Sequence, residues 1–507
     1  MWTCMRSSNR SDCPAPRTRA DHHENSLGAR ASARRLSAAT DKHLDFVERS
    51  VPTPRGETMI NNGFRRRLAA AAAVAALGTC ASAFAFTPPA FPRIAGVQYG
   101  SPFNYNDPAY QAQIEKQTIT ILQYWPGMTA GNESMQSIVQ AIKAANPNEL
   151  VFLYALTDEG WTSGDNSVAR AAETAQLNSM QWWLYSSTSR TNSNAVASFY
   201  GDGGYTINNT PYTPKDAQGD DSIDWLTKWY VNTYYGQVPN IDGLFMDNVF
   251  TEPRVAGDWY RNGTVLQPSD PKAEAAIQAG YERWFSLSHQ LMPGKYQIAN
   301  VATWYEPGTA AMPAGYQSMA DGGLLEAIIG ASYSIETWDG WQGMMNQYAS
   351  VMQAVNAPKL VIFNQYGSST DYQSMRYGLT SCLMNNGYFS FSDQSNGGYG
   401  GTTWFDEYNA NLGEPTAASP PTAAWQSGVW RRDFTNGIAL VNPKGNGVKT
   451  VQLGGTFIKL KGTQAPGVNS GQTVTSVTLQ DRDGVILLRQ TPMQEPKAPT
   501  GVSIGSG

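Results

Sequence analysis

Two carboxylates stand where apolar strands are expected to end. Asp247 closes the stretch IDGLFMDN at 241–248, and Glu326 lies within the apolar stretch GGLLEAII at 322–329. An unpaired charge removed from water is costly, so a carboxylate at such a place needs a partner or a task. Cleavage of a glycosidic bond requires two carboxyl groups, one as acid and one as base or nucleophile. We expect Asp247 to be the ionised member and Glu326 the acid, because apolar surroundings disfavour its charged form.

Each carboxylate also has a structural interpretation. Asp247 could cap the following helix, or could bind Ca²⁺ together with Asp158 or Asp393. Glu326 could form an ion pair with an arginine such as Arg376. The separation of the two carboxyl groups and the partners of Glu326 decide between these interpretations.

The other residues expected at the strand ends are aromatic rings, amides and further carboxylates. Amides and carboxylates match sugar hydroxyls as donors and acceptors, and aromatic rings match the C–H faces of pyranose rings. They therefore predict a carbohydrate site, in which Asp158 and Asp393 bind hydroxyls and Asn300 lies near the 2-OH. The predicted binding residues are Tyr99, Tyr124, Trp125, Tyr154, Asp158, Trp161, Asn248, Asn300, Trp304, Tyr366 and Asp393.

Composition excludes several other kinds of chemistry. Residues 86–507 contain one cysteine, Cys382, and one histidine, His289, which is expected to pack or cap within a helix. Ser–His–Asp, Cys–His and histidine-based zinc sites need partners that this region lacks, and it has no Walker loop or G-x-G-x-x-G motif. We expect neither a metal nor a cofactor. The same residues carry a net charge of −11, which disfavours nucleic-acid binding.

The N-terminus has the pattern of an export signal. Residues 1–58 show no apolar periodicity and are expected to be a disordered or wrongly assigned leader. From Met59, three arginines at 65–67 precede an Ala/Val/Leu run, and Ala83-Phe84-Ala85 fits an A-x-A cleavage site. Residues 59–85 therefore predict a signal peptide and a secreted or periplasmic protein, with a buried helix or a membrane anchor as alternatives. No later stretch reaches the roughly 18 apolar residues of a membrane span.

Eight apolar runs alternate with amphipathic segments in residues 86–413, which predicts an α/β fold, a (β/α)8 TIM barrel, with an open doubly wound sheet as the alternative. Asp242 begins the fourth run and is expected to be structural, whereas the long stretch 157–240 is expected to wall one side of the mouth. The predicted strands are 93–100, 118–125, 149–156, 241–248, 296–302, 322–329, 359–366 and 387–393.

The pattern changes after the eighth run. Residues 396–401 are the flexible stretch NGGYGG, and residues 414–424, rich in proline and alanine, indicate a linker. Six short alternating segments in residues 425–490 predict a small antiparallel β-sandwich. Residues 491–507 are rich in Pro, Gly and Ser and are expected to be a disordered tail. We expect the protein to be monomeric.

Several of these segments, taken in order, resemble a known family. DGLFMDN, GGLLEAI, FSFSD and the closing WRRDFTNGIALVNP…DGVILL are similar to the hypothetical glycoside-hydrolase-like family fifteen, a group of secreted bacterial proteins predicted to be TIM-barrel glycosidases. The resemblance spans roughly residues 94–488. It implies Asp247 and Glu326 as a catalytic pair and a carbohydrate substrate that the resemblance leaves unassigned. A retaining glycoside hydrolase is the expected function, and a non-catalytic carbohydrate-binding or matrix protein is the alternative.

N-terminal sequencing of the exported protein checks the assigned signal. Cleavage after Ala85 predicts a mature chain that begins near Phe86. Recovery of residues 1–58 on the mature protein would contradict both the cleavage site and the interpretation of the leader.

Overall fold

A computed structural model describes residues 86–300, 316, 319–395 and 398–490. All of these residues belong to a single structural unit, residues 83–507. The leader, the signal and the C-terminal tail predicted from the sequence lie outside the described residues.

Eight parallel strands form a nearly closed barrel in which each strand pairs with its neighbours in chain order. One parallel bridge, between Ile94 and Phe389, joins the last strand to the first. The predicted barrel is therefore confirmed, and the open doubly wound sheet is wrong. The strands are β1 (Ala95–Val97), β2 (Ile119–Leu122), β3 (Leu150–Ala155), β4 (Gly243–Met246), β5 (Tyr296–Asn300), β6 (Gly322–Ile329), β7 (Leu360–Gly367) and β8 (Tyr388–Asp393).

Helices cover the outside of the barrel. The longest begins with a cap that its sequence predicts: the Asp270 carboxylate accepts the backbone N–H of Lys272, and Pro271 occupies the first turn. No helix among the described residues has the length and apolar character needed to cross a membrane. The described helices are α1 (Pro108–Ile114), α2 (Met135–Ala145), α3 (Gly164–Ala169), α4 (Ala171–Met180), α5 (Ser222–Tyr230), α6 (Pro271–Leu291), α7 (Ile335–Ala354) and α8 (Tyr372–Cys382).

Strand alternation divides the core into two layers. In β3, Phe152 and Tyr154 face the barrel interior, whereas Leu153 and Ala155 belong to the larger layer that packs against the helices. The interior is filled by aliphatic and aromatic side chains from all eight strands, so the barrel is a packed core rather than a pore. Tyr99 and Tyr154 pack against this core from the carboxyl ends of their strands.

The C-terminal strands form one antiparallel sheet, not the two sheets of the predicted sandwich. An irregularity in register between Gln452 and Phe457 bends one long strand, which covers two of the six predicted segments. The bent sheet therefore encloses an apolar core of its own. Its strands are β9 (Trp430–Phe434), β10 (Gly437–Asn442), β11 (Lys449–Lys459), β12 (Thr473–Leu479) and β13 (Asp483–Arg489), in the order β9-β10-β13-β11-β12.

Buried ion pairs fasten this sheet to the barrel. Arg376 on α8 lies 3.0 Å from the Asp483 carboxylate at the start of β13, and both side chains are almost fully buried. Arg482 reaches Glu336 on α7 at 2.9 Å. Breaking one partner of a buried pair leaves an uncompensated charge, so these contacts favour one docking arrangement.

Candidate active site

The period of two along each strand carries polar side chains to the mouth of the barrel. Asp247 lies two residues beyond the interior Phe245, and Glu326 lies two residues beyond the interior Leu324. The same spacing from interior residues gives Tyr99, Tyr154, Asn300 and Asn364, and one further step along β7 gives Tyr366. The mouth is thus lined by residues that follow core-filling residues on the same face of each strand.

One amide nitrogen joins the two carboxylates. Asn300 Nδ2 donates to Asp247 Oδ1 at 2.9 Å and to Glu326 Oε2 at 2.7 Å. These two oxygens therefore lie no farther apart than the two hydrogen bonds laid end to end. Asp247 and Glu326 therefore form a pair at the mouth of the barrel, and their catalytic role stays a prediction.

Asp247 is held by three donors. Besides Asn300, the Tyr154 hydroxyl donates to Oδ2 at 2.6 Å, and the backbone N–H of Asn248 donates to Oδ1 at 2.9 Å. Burial raises the pKa of Asp247 to about 6, and repulsion from Glu326 acts in the same direction, while the hydrogen bonds oppose both. Asp247 is thus an anion at neutral pH that becomes protonated in mild acid.

The surroundings of Glu326 are more polar than its sequence neighbours suggest. The side chain is half-buried, and its Oε1 accepts the hydroxyls of Tyr366, at 2.9 Å, and of Tyr399. The expectation of purely apolar surroundings is wrong, because the apolar neighbours in GGLLEAII face the core while Glu326 faces the mouth. The alternative ion pair with Arg376 is excluded, since that guanidinium is bonded to Asp483.

Both carboxylates are followed by a non-glycine residue in a left-handed conformation. Asn248 has φ 54° and Ala327 has φ 44°. Such conformations cost energy in residues with a Cβ, and they concentrate at functional sites. After Glu326 the register of β6 against β7 shifts, and Asn364 Oδ1 accepts the freed N–H of Ala327 at 3.0 Å. This bulge turns the strand just beyond the carboxylate.

A third acidic residue adjoins the pair through Asn248. Asn248 Nδ2 lies 3.1 Å from Asp158 Oδ2, and the Tyr200 hydroxyl donates to Asn248 Oδ1 at 2.8 Å. Burial, the neighbouring Glu159 and Asp247 together raise the pKa of Asp158 well above its usual value. Tyr200 belongs to the long stretch between β3 and β4, which therefore reaches the site as predicted.

Two tyrosines of the site were not among the predicted residues. Tyr200 lies in the polar stretch before α5, and Tyr399 lies in NGGYGG, which the sequence analysis took for a flexible segment. Tyr399 is the more informative omission, because its hydroxyl bonds Glu326 and contacts that of Tyr366. An aromatic residue within a glycine-rich loop directly after the eighth strand is a signal that could have identified it.

Tyr99 lies under the pair. Its ring centroid is 4.9 Å from that of Tyr154 and 4.5 Å from that of Tyr399. Tyr99 therefore packs against two of the three tyrosines whose hydroxyls bind the carboxylates. Burial raises its pKa well above the usual tyrosine value, so Tyr99 stays neutral. It is a supporting residue at the floor of the site.

Other predicted binding residues lie in packing positions. Tyr124 is buried against Tyr234, and its hydroxyl donates to Gln237 at 2.8 Å, so it belongs to the layer between strands and helices. Trp125 contacts the exposed Phe103, with ring centroids 5.9 Å apart. For these residues, proximity in sequence to a strand end did not determine the direction of the side chain.

Two further predicted residues, Trp161 and Asp393, have their contacts with residues other than the carboxylate pair. Trp161 lies with its ring centroid 5.9 Å from the guanidinium carbon of Arg170. Asp393 is buried, and although burial opposes its ionisation, hydrogen bonds from Ser369 and Ser395 outweigh this and lower its pKa. Asp393 thus stabilises a turn instead of facing the mouth. Trp304 lies outside the described residues.

Residues expected to be structural have structural partners. Asp242 accepts the N–H of Val151 at 2.8 Å and pairs with Lys143. His289 Nε2 lies 2.8 Å from the Asp321 carboxylate, which raises its pKa. No group of three or more His, Cys, Asp or Glu side chains within the described ranges is arranged to hold a metal ion.

A sequence model of the hypothetical glycosyl hydrolase family 15 matches residues 143–438, more than half of the chain. The chain belongs to this family. The resemblance seen in the sequence is thereby confirmed, although the match is shorter than the predicted span and leaves out β1, β2 and most of the C-terminal sheet. Asp247, Glu326 and their tyrosine partners all lie inside the span matched to the family. No curated protein matches this sequence.

Some solved structures are similar to this family member at low sequence identity. The glycoside hydrolase domain of PelA from Pseudomonas aeruginosa is 11% identical, with a TM-score of 0.36, and the match covers 59% of this chain and 94% of that one. An alpha-amylase from Geobacillus thermoleovorans, complexed with acarbose, is 10% identical, with a TM-score of 0.41 and coverages of 78% and 98%. Likeness at this level carries no weight for the activity.

The left-handed residue after Glu326 leads to a test by substitution. Ala327→Gly should keep or raise the free energy of unfolding by up to about 1 kcal/mol, because glycine adopts φ 44° without strain. Ala327→Val should lower it by about 1–3 kcal/mol, since a β-branched residue fits that conformation poorly. Denaturant titration of the two variants measures the difference. Equal stabilities would mean that the bulge at Ala327 is not strained.

Proposed function

We propose that the chain is a secreted or periplasmic glycoside hydrolase that cleaves a polysaccharide or oligosaccharide with retention of configuration. The observation that carries the proposal is the single nitrogen of Asn300 bonded to both Asp247 and Glu326. It brings two carboxyl groups within reach of one glycosidic bond, which is what two-carboxylate hydrolysis requires.

In the first step Glu326 donates its proton to the glycosidic oxygen as the bond to the anomeric carbon breaks. Asp247 attacks the same carbon and forms a glycosyl ester, so the leaving sugar departs as a neutral alcohol. In the second step Glu326, now a carboxylate, takes a proton from water, and the oxygen of that water displaces Asp247. Two displacements at one carbon restore its original configuration.

The separation supports this double displacement. Retaining enzymes hold their carboxyl groups roughly 5–5.5 Å apart, whereas inverting enzymes leave roughly 6.5–9.5 Å for a water molecule. The hydrogen bonds of 2.9 and 2.7 Å from one nitrogen keep the two accepting oxygens of Asp247 and Glu326 closer together than the inverting range. Inversion requires room for a water molecule between the carboxylates, and the hydrogen bonds from Asn300 to both of them oppose such a separation.

The hydrogen bonds support the division of roles. Tyr154, Asn248 and Asn300 all donate to Asp247, which favours its charged form, as a nucleophile requires. Tyr366 and Tyr399 meet at Glu326 Oε1, and their hydroxyls both donate and accept, so they accommodate either protonation state of the acid. Asn300 lies between the two carboxylates, so we expect it to contact the sugar next to the reacting carbon.

Azide rescue tests the two roles. Asp247→Ala and Glu326→Ala should both lose activity, and Glu326→Ala should lose about 10²–10⁴-fold, less on substrates with activated leaving groups. Azide added to Glu326→Ala should give a glycosyl azide of retained configuration, because the anion attacks the covalent intermediate. Azide added to Asp247→Ala should give the inverted product, since it enters from the side that the nucleophile vacated. Product NMR distinguishes the two anomers.

An exposed carboxylate provides the matched control for this experiment. Glu133→Gln removes a charge at an exposed position that pairs with Ala130 in a short hairpin, and should leave turnover unchanged. If the two azide products are exchanged, the roles of Asp247 and Glu326 are reversed. Normal activity in both alanine variants would place the catalytic groups elsewhere.

The raised pKa of Asp247 predicts an acid limit to activity. Turnover should fall below about pH 6 as Asp247 is protonated. Because this pKa is higher in the folded chain than in the unfolded one, the protonated form favours folding at low pH, and that contribution is lost as pH rises through about 6. Activity and this part of stability should thus change in opposite directions, as measured by kcat/KM and Tm against pH.

Tyr154→Phe refines the pH test. Removing a donor to the Asp247 carboxylate should move the acid limit upward by about one pH unit, since a hydrogen bond to a charged group contributes about 1.5–3 kcal/mol. In Asp247→Asn the pH dependence of Tm near pH 6 should flatten. An unchanged limit in Tyr154→Phe would assign it to another group.

A further inference from the structure

A second cleft lies beside the mouth, between the loop that follows β1 and the loop that follows β8. Its volume is about 660 Å³, which is within the range of small-molecule sites. The cleft is formed by α1 and its preceding turn on one side and by residues 402–404 on the other. Its lining residues include Asn104, Asp107, Tyr110, Gln113, Thr402 and Trp404.

The lining has the chemistry of a sugar site. The indole ring of Trp404 forms one wall, and the polar lining residues are two with amides, two with hydroxyls and one carboxylate. The Trp404 Nε1–H is committed to Asn409 Oδ1 at 3.0 Å, and its ring meets Tyr408 edge-on, so the indole is fixed in place. Lys116 lies next to the cleft, with its ammonium 5.4 Å from the ring centroid.

The charge of the lining argues against a strongly ionic ligand. Asp107 is already engaged as the cap of α1, where its carboxylate accepts the N–H of Tyr110 at 2.9 Å. Lys116 donates to Gln113 Oε1 at 3.0 Å. Among the residues that the structure describes, the lining thus contains one anion, which already has a partner, and no cation, so neutral donors and acceptors are the main polar feature of the cleft.

The cleft is rigidly connected to the carboxylate pair. Tyr399, which bonds Glu326, accepts the N–H of Gly100 at its carbonyl, at 3.3 Å, and the Tyr110 hydroxyl donates to the carbonyl of Gly400 at 3.0 Å. A Cβ on Gly100 would stand 2.7 Å from the nitrogen of Gly400, so the two loops touch here. Tyr399 and Trp404 are five residues apart, so their Cα atoms are separated by at most roughly 18 Å, a few sugar rings.

We propose that this cleft binds a distal part of the glycan whose scissile bond lies between Asp247 and Glu326, with Trp404 as its stacking platform. The substrate class is therefore a neutral polysaccharide long enough to span both sites. This inference rests on the proposed function for its orientation, but binding at the cleft does not depend on turnover.

Binding is measured first, in Asp247→Asn, which retains the cleft. The probes are soluble starch, barley β-glucan, xylan, dextran and glycol chitin, each cast in a native gel. Retardation by at least one of them is expected, and adding Trp404→Ala should weaken it about tenfold, whereas Trp404→Phe should keep most of it, since a smaller aromatic face remains. Trp425→Ala is the control, because it removes an exposed tryptophan in the C-terminal part of the chain.

Turnover is measured second, with the wild-type catalytic pair. On a polymer that the protein cleaves, Trp404→Ala should raise KM about tenfold more than it does on a short aryl glycoside, with kcat little changed. If a polymer binds through Trp404 but is never cleaved, the proposal of glycan binding at the cleft stands and the proposed hydrolase activity is refuted. Cleavage with equal KM effects on long and short substrates would refute the cleft and sustain the hydrolase. Retardation by none of the polymers, or retardation that Trp404→Ala leaves intact, would also refute the cleft.

Discussion

The hydrogen bonds from Asn300 to two facing carboxylates are the constraint on which the site depends. Two like charges so close together repel, and burial adds to the cost, as the raised pKa of Asp247 reflects. Without donors between and around them, one carboxylate would turn outward or take up a proton permanently. Tyr154, Tyr366 and Tyr399 supply those donors. Tyr154 and Tyr399 pack against the top of the barrel core, and Tyr366 packs against Tyr399.

Strain at the strand ends is part of the same arrangement. In a regular strand, the residue after Glu326 would point to the opposite face of the sheet and the alternation would continue. The left-handed Ala327 and the shifted register of β6 end that alternation, and Asn364 satisfies the N–H that the bulge releases. Asn248, which follows Asp247, is also left-handed, and its own side chain turns toward Asp158 and Tyr200. The backbone strain is thus located directly after the two carboxylates, where it sets the direction in which their side chains point.

The parts of this molecule that could be predicted from sequence are those fixed by local periodicity. Apolar runs of the right length gave all eight barrel strands, and a period of two from Phe245 and Leu324 placed Asp247 and Glu326 at the mouth. Side chains beyond the strand ends follow loop geometry instead, which explains why Tyr124 was misassigned and Tyr399 was missed. Asp393 is the last residue of β8, but it lies five residues after the interior Tyr388, so strand alternation directs it away from the interior. The sandwich failed for a similar reason, since a bulge within β11 is not visible in an alternating pattern.

The C-terminal sheet is connected to the site through the barrel wall. Tyr366 faces the mouth, and its neighbour Gln365 faces outward and donates to Ser374 on α8 at 3.0 Å. Arg482, from the turn before β13, donates to the same Ser374 hydroxyl at 3.0 Å, and Arg376, two residues farther along α8, is bonded to Asp483. The sheet thus braces the helix against which β7 is positioned. A strand that must hold a tyrosine hydroxyl against Glu326 gains from such support, because a shift of one ångström at a catalytic group can cost about 10²-fold in rate.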